Sequence, residues 1–161
     1  MSTLPPLLAA LHRASALMNA RRFAEARVLL EQVVQAAPRS VDALYLLGAS
    51  LRQIGEAAGS ERALRSALAI DPRRWDAVLE LVRLLRNAGR DGDALAVSEA
   101  AAAEPRPAQA LLVERSRALS ALGQVQDNIA TRERITRLYP ADAQAHHNLA
   151  ASLGDAGLAA R

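Results

Sequence analysis

A period of 34 residues runs through the sequence and constrains the fold more than any other feature. Leucine recurs at this interval at every step, and so do four glycines and a series of mostly small residues. The three series are Leu17, Leu51, Leu85, Leu119 and Leu153; Gly55, Gly89, Gly123 and Gly157; and Ala14, Gly48, Val82, Ser116 and Ala150. A fixed period of this length is typical of stacked supersecondary units, because a single unit cannot bury its apolar face alone.

Each unit predicts two antiparallel helices, and residues 41–74 show the pattern best. Leu47 and Leu51 fall on one stripe at helical spacing, with small residues beside them. Gly55 permits the turn that follows the first helix, because glycine reaches backbone conformations that cost other residues energy. Pro72 ends the second helix, since proline cannot continue it. The small residues are expected where the two helices cross, so that their backbones can approach closely.

The prolines that end the units keep the period less strictly than the glycines do. Pro38, Pro72, Pro105 and Pro140 are spaced by 34, 33 and 35 residues, whereas the glycines hold phase. We therefore predict that the second helix of the third unit is one residue shorter than its equivalents. The Pro-Arg-Pro connection at 105–107 is expected to take up that residue.

Composition narrows the class of protein. Alanine occupies 37 of the 161 positions and aromatic residues make up only 2%, which favours an all-α fold. All 20 basic residues are arginine, but the net charge is only +3 and no charge run exists, so we expect no nucleic-acid partner. No apolar run reaches the roughly 18 residues of a membrane span, so we expect no membrane partner. The absence of cysteine is compatible with the cytoplasm, where we expect the protein.

The sequence carries no recognisable catalytic, cofactor or metal motif. There is no phosphate-cradling glycine loop and no zinc-protease helix motif. His146 and His147 are adjacent, so on a helix they point to different sides and cannot share one metal ion. We therefore expect this chain to be no enzyme and to bind no cofactor and no metal.

The units resemble the tetratricopeptide repeat. The family pattern is best matched by Leu44, Leu47, Gly48, Leu51, Ser60, Leu64, Ala67 and Pro72. The resemblance covers nearly the whole chain as a single array, with repeats at 7–40, 41–74, 75–108 and 109–142 and a partial fifth at 143–161. It implies an all-α solenoid of stacked antiparallel helix hairpins, wound as a right-handed superhelix. A pentatricopeptide (RNA-reading) array has a similar period but fits the Gly48 and Pro72 markers less well.

The fourth repeat departs from the family pattern at two positions. Arg115 stands where Leu47 and Leu81 stand, and Asn128 replaces a small residue. We expect looser packing in this repeat.

The resemblance implies a protein-interaction scaffold that holds a partner segment in a concave groove lined by the first helices. Arginine suits bidentate contacts with carboxylates, so the predicted partner is an acidic or C-terminal peptide. The alternative is a solvated face on which Glu80 pairs with Arg83 and Glu114 with Arg117, three residues along the helix. Without lysine, the family's clamp for chaperone tails is absent. The candidate groove residues are Tyr45, Arg52, Arg83, Arg86, Arg117 and His147.

Two further interpretations stay open at this point. The sequence stops shortly after Gly157, where the second helix of a fifth repeat should begin. The array is then an N-terminal recruitment or dimerisation module of a larger bacterial enzyme, such as a 2-oxoglutarate/iron oxygenase, a sulfotransferase or a glycosyltransferase. Alternatively, an apolar surface around Leu149 and Leu153 pairs with its copy in a homodimer through the C-terminal end.

Overall fold

The computed structural model describes residues 4–157, and the side chains from residue 7 onward. This part of the chain is all-α and contains no strand. Met1 to Thr3 and the last four residues of the predicted partial fifth repeat, 158–161, lie outside it. The helices are α1 (Leu4–Asn19), α2 (Phe23–Ala36), α3 (Val41–Gln53), α4 (Ala57–Ile70), α5 (Trp75–Asn87), α6 (Asp91–Ala103), α7 (Gln109–Ala121), α8 (Val125–Leu138) and α9 (Ala143–Asp155).

The helices begin where the repeat predicts. From the second unit onward, the first helix of each unit starts at the predicted first residue, at Val41, Trp75, Gln109 and Ala143. Helix α6 has 13 residues, whereas α2, α4 and α8 have 14. The connection that follows α6 is correspondingly one residue longer, so the interpretation of the proline spacing is confirmed. No described helix combines the length and apolar character that a membrane crossing requires.

The turns between paired helices share a left-handed residue. Gly55 has a φ of 84°, and the three glycines at the same repeat position have φ values of 71°, 68° and 68°. In the first repeat the equivalent residue is Arg21, which has a φ of 59°. A residue with a side chain reaches this region at a cost of about 1–2 kcal/mol. The hairpin geometry therefore imposes the conformation even where the sequence does not favour it.

The chain divides into two compact units, Met1–Leu84 and Leu85–Arg161. In the first unit, α3 packs against α1, α2 and α4. Because of these neighbours, Ala49 is buried, although we expected it on the open side of α3. The core of the first unit includes Ala14, Ala26, Leu30, Leu47, Leu51 and Ala63, and that of the second includes Ala102, Leu112, Ile135 and Ala145.

The crossing of α3 and α4 is close, as the small residues predict. A Cβ atom added to Gly48 would come within 2.6 Å of the Leu64 Cγ. The Ser60 hydroxyl donates a hydrogen bond to the Gly48 carbonyl oxygen at 2.7 Å. Both Ser60 and Leu64 are fully buried. This crossing is therefore held by an apolar contact and a single side-chain hydrogen bond.

Candidate functional site

Tyr45, the first candidate groove residue, is half-buried on α3 beside α1. The guanidinium carbon of Arg74 lies 5.2 Å from the centre of its ring. Arg74 also pairs with Asp42 and Asp76, at 2.7 Å each. Burial raises the pKa of the Tyr45 hydroxyl. Tyr45 borders a cavity of about 230 Å³ between the ends of α1 and α3.

Arg52 and Arg83 are joined through one carboxylate in the first unit. Arg52 Nε lies 2.7 Å from Glu80 Oε2, and Arg83 Nη1 lies 3.0 Å from Glu80 Oε1. Glu80 keeps only 12% of its side chain exposed, whereas Arg83 keeps 35%. The inner pair links α3 to α5, and the outer arginine remains at the surface. We call this set the first triad.

The same arrangement recurs 34 residues later in the second unit. Arg86 Nη1 lies 2.5 Å from Glu114 Oε2, and Arg117 Nη1 lies 3.2 Å from Glu114 Oε1. Glu114 is 11% exposed and Arg117 is 58% exposed. Arg86 also lies 3.3 Å from Asp91. We call Arg86, Glu114 and Arg117 the second triad.

The triads bear directly on the predicted arginine groove. The pairs three residues apart that we considered as an alternative are present for both Arg83 and Arg117. The interhelical pairs, from Arg52 to Glu80 and from Arg86 to Glu114, were not predicted. Each spans 28 residues, and the second repeats the first after one period, so the signal was in the sequence.

The remaining predicted residues lie at the end of the described chain. His147 is exposed on α9, apart from His146, whose Nε2 lies 3.0 Å from the Pro140 carbonyl oxygen. Leu149 and Leu153, the residues of the predicted homodimer surface, are both partly buried. Across residues 4–157, no three metal-ligating side chains are grouped to hold an ion.

The second unit contains a polar cavity that was not predicted from the sequence. It has a volume of about 330 Å³ and lies between α7, α8 and α9. Its apolar wall is formed by Val113, Ile135 and Ala145. Its polar wall includes Ser116, Arg117, Arg132, Asp142, Gln144 and Asn148. We call this space the α7–α9 cavity.

Arg132 organises the polar wall of the α7–α9 cavity. Its Nε donates to Ser116 Oγ at 2.9 Å and to Asn128 Oδ1 at 3.1 Å, and its Nη1 donates to the Asn148 carbonyl oxygen. The Ser116 hydroxyl in turn donates to Asn128 Oδ1 at 2.7 Å. Arg132 lies two periods after the buried Leu64, so an arginine at an apolar repeat position was the available signal.

The two departures in the fourth repeat are therefore hydrogen-bonded positions. Asn128 is buried and takes part in the Ser116 and Arg132 network. Arg115 Nη1 donates to the Leu95 carbonyl oxygen at 3.2 Å and to Ser98 Oγ at 3.0 Å. The expectation of simply looser packing is thus corrected, because polar contacts replace apolar ones.

Comparison with known proteins gives the fold a context. No family model and no curated protein matches the sequence. MamA from Desulfovibrio magneticus RS-1 is 17% identical over 98% of this chain and 89% of that chain, with a TM-score of 0.85. MamA from MSR-1 is 21% identical over 96% and 88%, with a TM-score of 0.77.

A third solved structure belongs to YrrB, described as a TPR protein with an unusual peptide-binding site. It is 14% identical over 92% of this chain and 77% of that chain, with a TM-score of 0.77. At such identities the similarity shows a shared fold, an all-α solenoid of stacked helix hairpins.

Proposed function

We propose that this chain, which has the tetratricopeptide-repeat fold, is a non-catalytic scaffold that binds an acidic segment of a partner protein in the cytoplasm. The observation that carries the proposal is the repeated Arg–Glu–Arg triad. Each triad combines two arginines with one carboxylate and therefore keeps a net charge of +1. In each case the outer arginine, Arg83 or Arg117, is the more exposed member.

The geometry of a triad suits it to receive a carboxylate. The inner arginine and the nearly buried glutamate hold the outer arginine in place, which lowers the entropy cost of ordering it on binding. Its planar guanidinium offers several donors, and Arg83 and Arg117 use one nitrogen each in the contacts described. A carboxylate from a partner can then approach the remaining donors in bidentate fashion.

Panning a random peptide library displayed on phage against the immobilised 161-residue chain tests the proposal. We expect the selected peptides to be enriched in Asp and Glu over the input library. Their binding should weaken with rising salt, because exposed ion pairs are screened. Selection of peptides without acidic enrichment would contradict the acidic partner, and failure to enrich any sequence would contradict the scaffold role.

Matched variants locate the binding surface. Arg83→Gln and Arg117→Gln each remove one charge but leave the inner pair of the triad intact. Arg65→Gln is the control, because Arg65 is similarly exposed on α4 and pairs only locally with Glu61. We expect the first two variants to bind the selected peptides several-fold more weakly and the control to bind as the wild type does. Equal loss in all three would indicate general charge attraction.

A further inference from the structure

Arg132 differs from the arginines of the two triads in lacking a charged partner. Its hydrogen bonds go to a hydroxyl, a side-chain amide oxygen and a backbone carbonyl. Among residues 4–157, no carboxylate lies within 4 Å of its guanidinium. A cation that is half-buried without a counter-charge favours an anion close by, because local screening by water is reduced there.

The Nη2 group of Arg132 remains available to a ligand. Nε and Nη1 are occupied by Ser116, Asn128 and Asn148, whereas Nη2 makes no hydrogen bond to the described residues. It is not one of the buried atoms that lack a partner, so solvent reaches it. The existing hydrogen bonds fix the plane of the guanidinium, which leaves one edge preorganised for an acceptor.

Arg132 borders two cavities, and charge distinguishes between them. The α7–α9 cavity also contains the exposed Arg117, and the amides of Gln144 and Asn148 add polar groups. The other cavity, of about 320 Å³, is bordered by Asp155, whose carboxylate makes no ion pair in the described part of the chain. An incoming anion is therefore favoured in the α7–α9 cavity.

One carboxylate, that of Asp142, borders the α7–α9 cavity and opposes an anion. Its charge is offset by three donors. Oδ1 accepts from the backbone N–H groups of Gln144 at 2.9 Å and Ala145 at 3.2 Å, at the start of α9. Oδ2 accepts from the side-chain amide of Gln109. Asp142 is thus directed toward the helix start and is not a partner of Arg132.

We propose that the α7–α9 cavity is a subsite for one carboxylate of a bound peptide, with Arg132 as its principal donor. This inference rests on the proposed function and names where one acidic group docks. Val113, Ile135 and Ala145 form a wall for the aliphatic part of a glutamate or aspartate side chain. A peptide C-terminus offers the same carboxylate chemistry, so the test separates the two sources.

The experiment follows the ¹H–¹⁵N spectrum of the full chain, including the arginine Nε–Hε signals, during titration with three short alanine peptides. The first carries a central glutamate with blocked ends, the second has glutamine in its place, and the third has a free C-terminal carboxylate without glutamate. Titration to about 10 mM reveals dissociation constants in the millimolar range. We expect saturable shifts around Arg132 with a carboxylate peptide and not with the glutamine peptide.

Two variants and one control make the result specific. Arg132→Leu restores the residue type of the equivalent Leu64 and should weaken carboxylate binding about tenfold or more. If that variant does not fold, Ser116→Gly/Asn128→Ser/Arg132→Leu transfers the whole crossing of α3 and α4 and serves the same purpose. Arg137→Leu, on the same helix but outside the cavity, should leave the affinity within about twofold of the wild type.

The outcomes separate the two carboxylate sources and the two proposals. Binding of the glutamate peptide alone identifies a side-chain subsite, and binding of the free-ended peptide alone identifies a C-terminal one. Absence of shifts at the highest concentration, equal binding of the glutamine peptide, or unchanged binding by Arg132→Leu would overturn the subsite. The scaffold role would still stand if the phage-selected peptides bound elsewhere.

Discussion

The helix crossings of α3–α4 and α7–α8 occupy the same repeat positions but are held by different chemistry. In the first, Gly48 and Leu64 meet at close range and only Ser60 adds a side-chain hydrogen bond. In the second, the equivalent residues are Ser116, Asn128 and Arg132, which bond to one another. The repeat therefore specifies where two helices cross, while the side chains at the crossing decide whether it is closed or borders polar cavities.

The difference has a physical basis in volume and solvation. A leucine at the crossing fills the space beside a glycine and needs no partner. An arginine there must satisfy its donors, and the serine, asparagine and backbone carbonyl that do so hold it beside open space. The crossing of α3 and α4 is thus suited to stability, and that of α7 and α8 to binding.

Exchanging the central residue of each crossing should give the largest effect. Leu64→Arg puts a charge where the side chain is 0% exposed and no carboxylate takes part in the crossing. We expect the free energy of unfolding to fall by about 3–5 kcal/mol, the cost of an unpaired buried charge. Arg132→Leu should change it by no more than about 1 kcal/mol, because replacing a buried ionic group by an apolar one is often neutral.

Urea unfolding followed by circular dichroism measures both variants. Similar losses in the two would show that the crossings depend equally on their native residues, and the contrast between apolar and polar crossings would be wrong.

Close approach at the apolar crossing gives the second prediction. Gly48→Ala places a methyl group 2.6 Å from Leu64 Cγ and 3.3 Å from its backbone nitrogen, so α3 and α4 must move apart. We expect a loss of about 1–3 kcal/mol in the free energy of unfolding. Gly154→Ala, on α9, is the control, because nothing lies within 4 Å of the added Cβ. It should stabilise by up to about 1 kcal/mol through helix propensity, and a stabilising Gly48→Ala would refute the close crossing.

The polar crossing gives a third, smaller prediction. Ser116→Ala removes the hydroxyl that accepts from Arg132 and donates to Asn128. Leaving these buried groups partly unsatisfied should cost about 1–2 kcal/mol. Ser60→Ala removes only one hydrogen bond, to a helix carbonyl, and should cost less. Native-state hydrogen exchange of the α7 and α8 amides measures the local effect; an equal or smaller cost for Ser116→Ala would show that the polar network adds no stability.

The features that the sequence revealed are those encoded locally or by the period. Gly55 and Pro72 mark the turn and the end of a hairpin, and the shift at Pro105 was enough to predict the shorter α6. The pair between Glu80 and Arg83 was foreseeable because both lie on one helix face.

The features that were missed depend on which side chains of different helices face each other. Arg52 and Glu80 are 28 residues apart, and nothing near either one announces the pair. Arg132 resembles any surface arginine of a helix until α7 and α9 are placed against it. The hairpins were therefore predictable, but the polar cavity and the triads required the packed structure.

The smallest effect is expected at the turns, where the first and second hairpins differ by one residue. Arg21 has a φ of 59°, and its side chain is exposed and makes no hydrogen bond or ion pair in the described part. Arg21→Gly removes the left-handed strain of about 1–2 kcal/mol but adds unfolded-state entropy worth up to about 1 kcal/mol. A net stabilisation of about 0.5–1 kcal/mol follows, which is a rise of a few degrees in Tm. Gly55→Ala should lower Tm by a similar amount, since its φ is 84° and the added Cβ meets nothing within 4 Å. If Gly55→Ala lowers Tm and Arg21→Gly leaves it unchanged, the first turn adopts its conformation without strain, and the hairpins differ in their backbone as well as in their side chains.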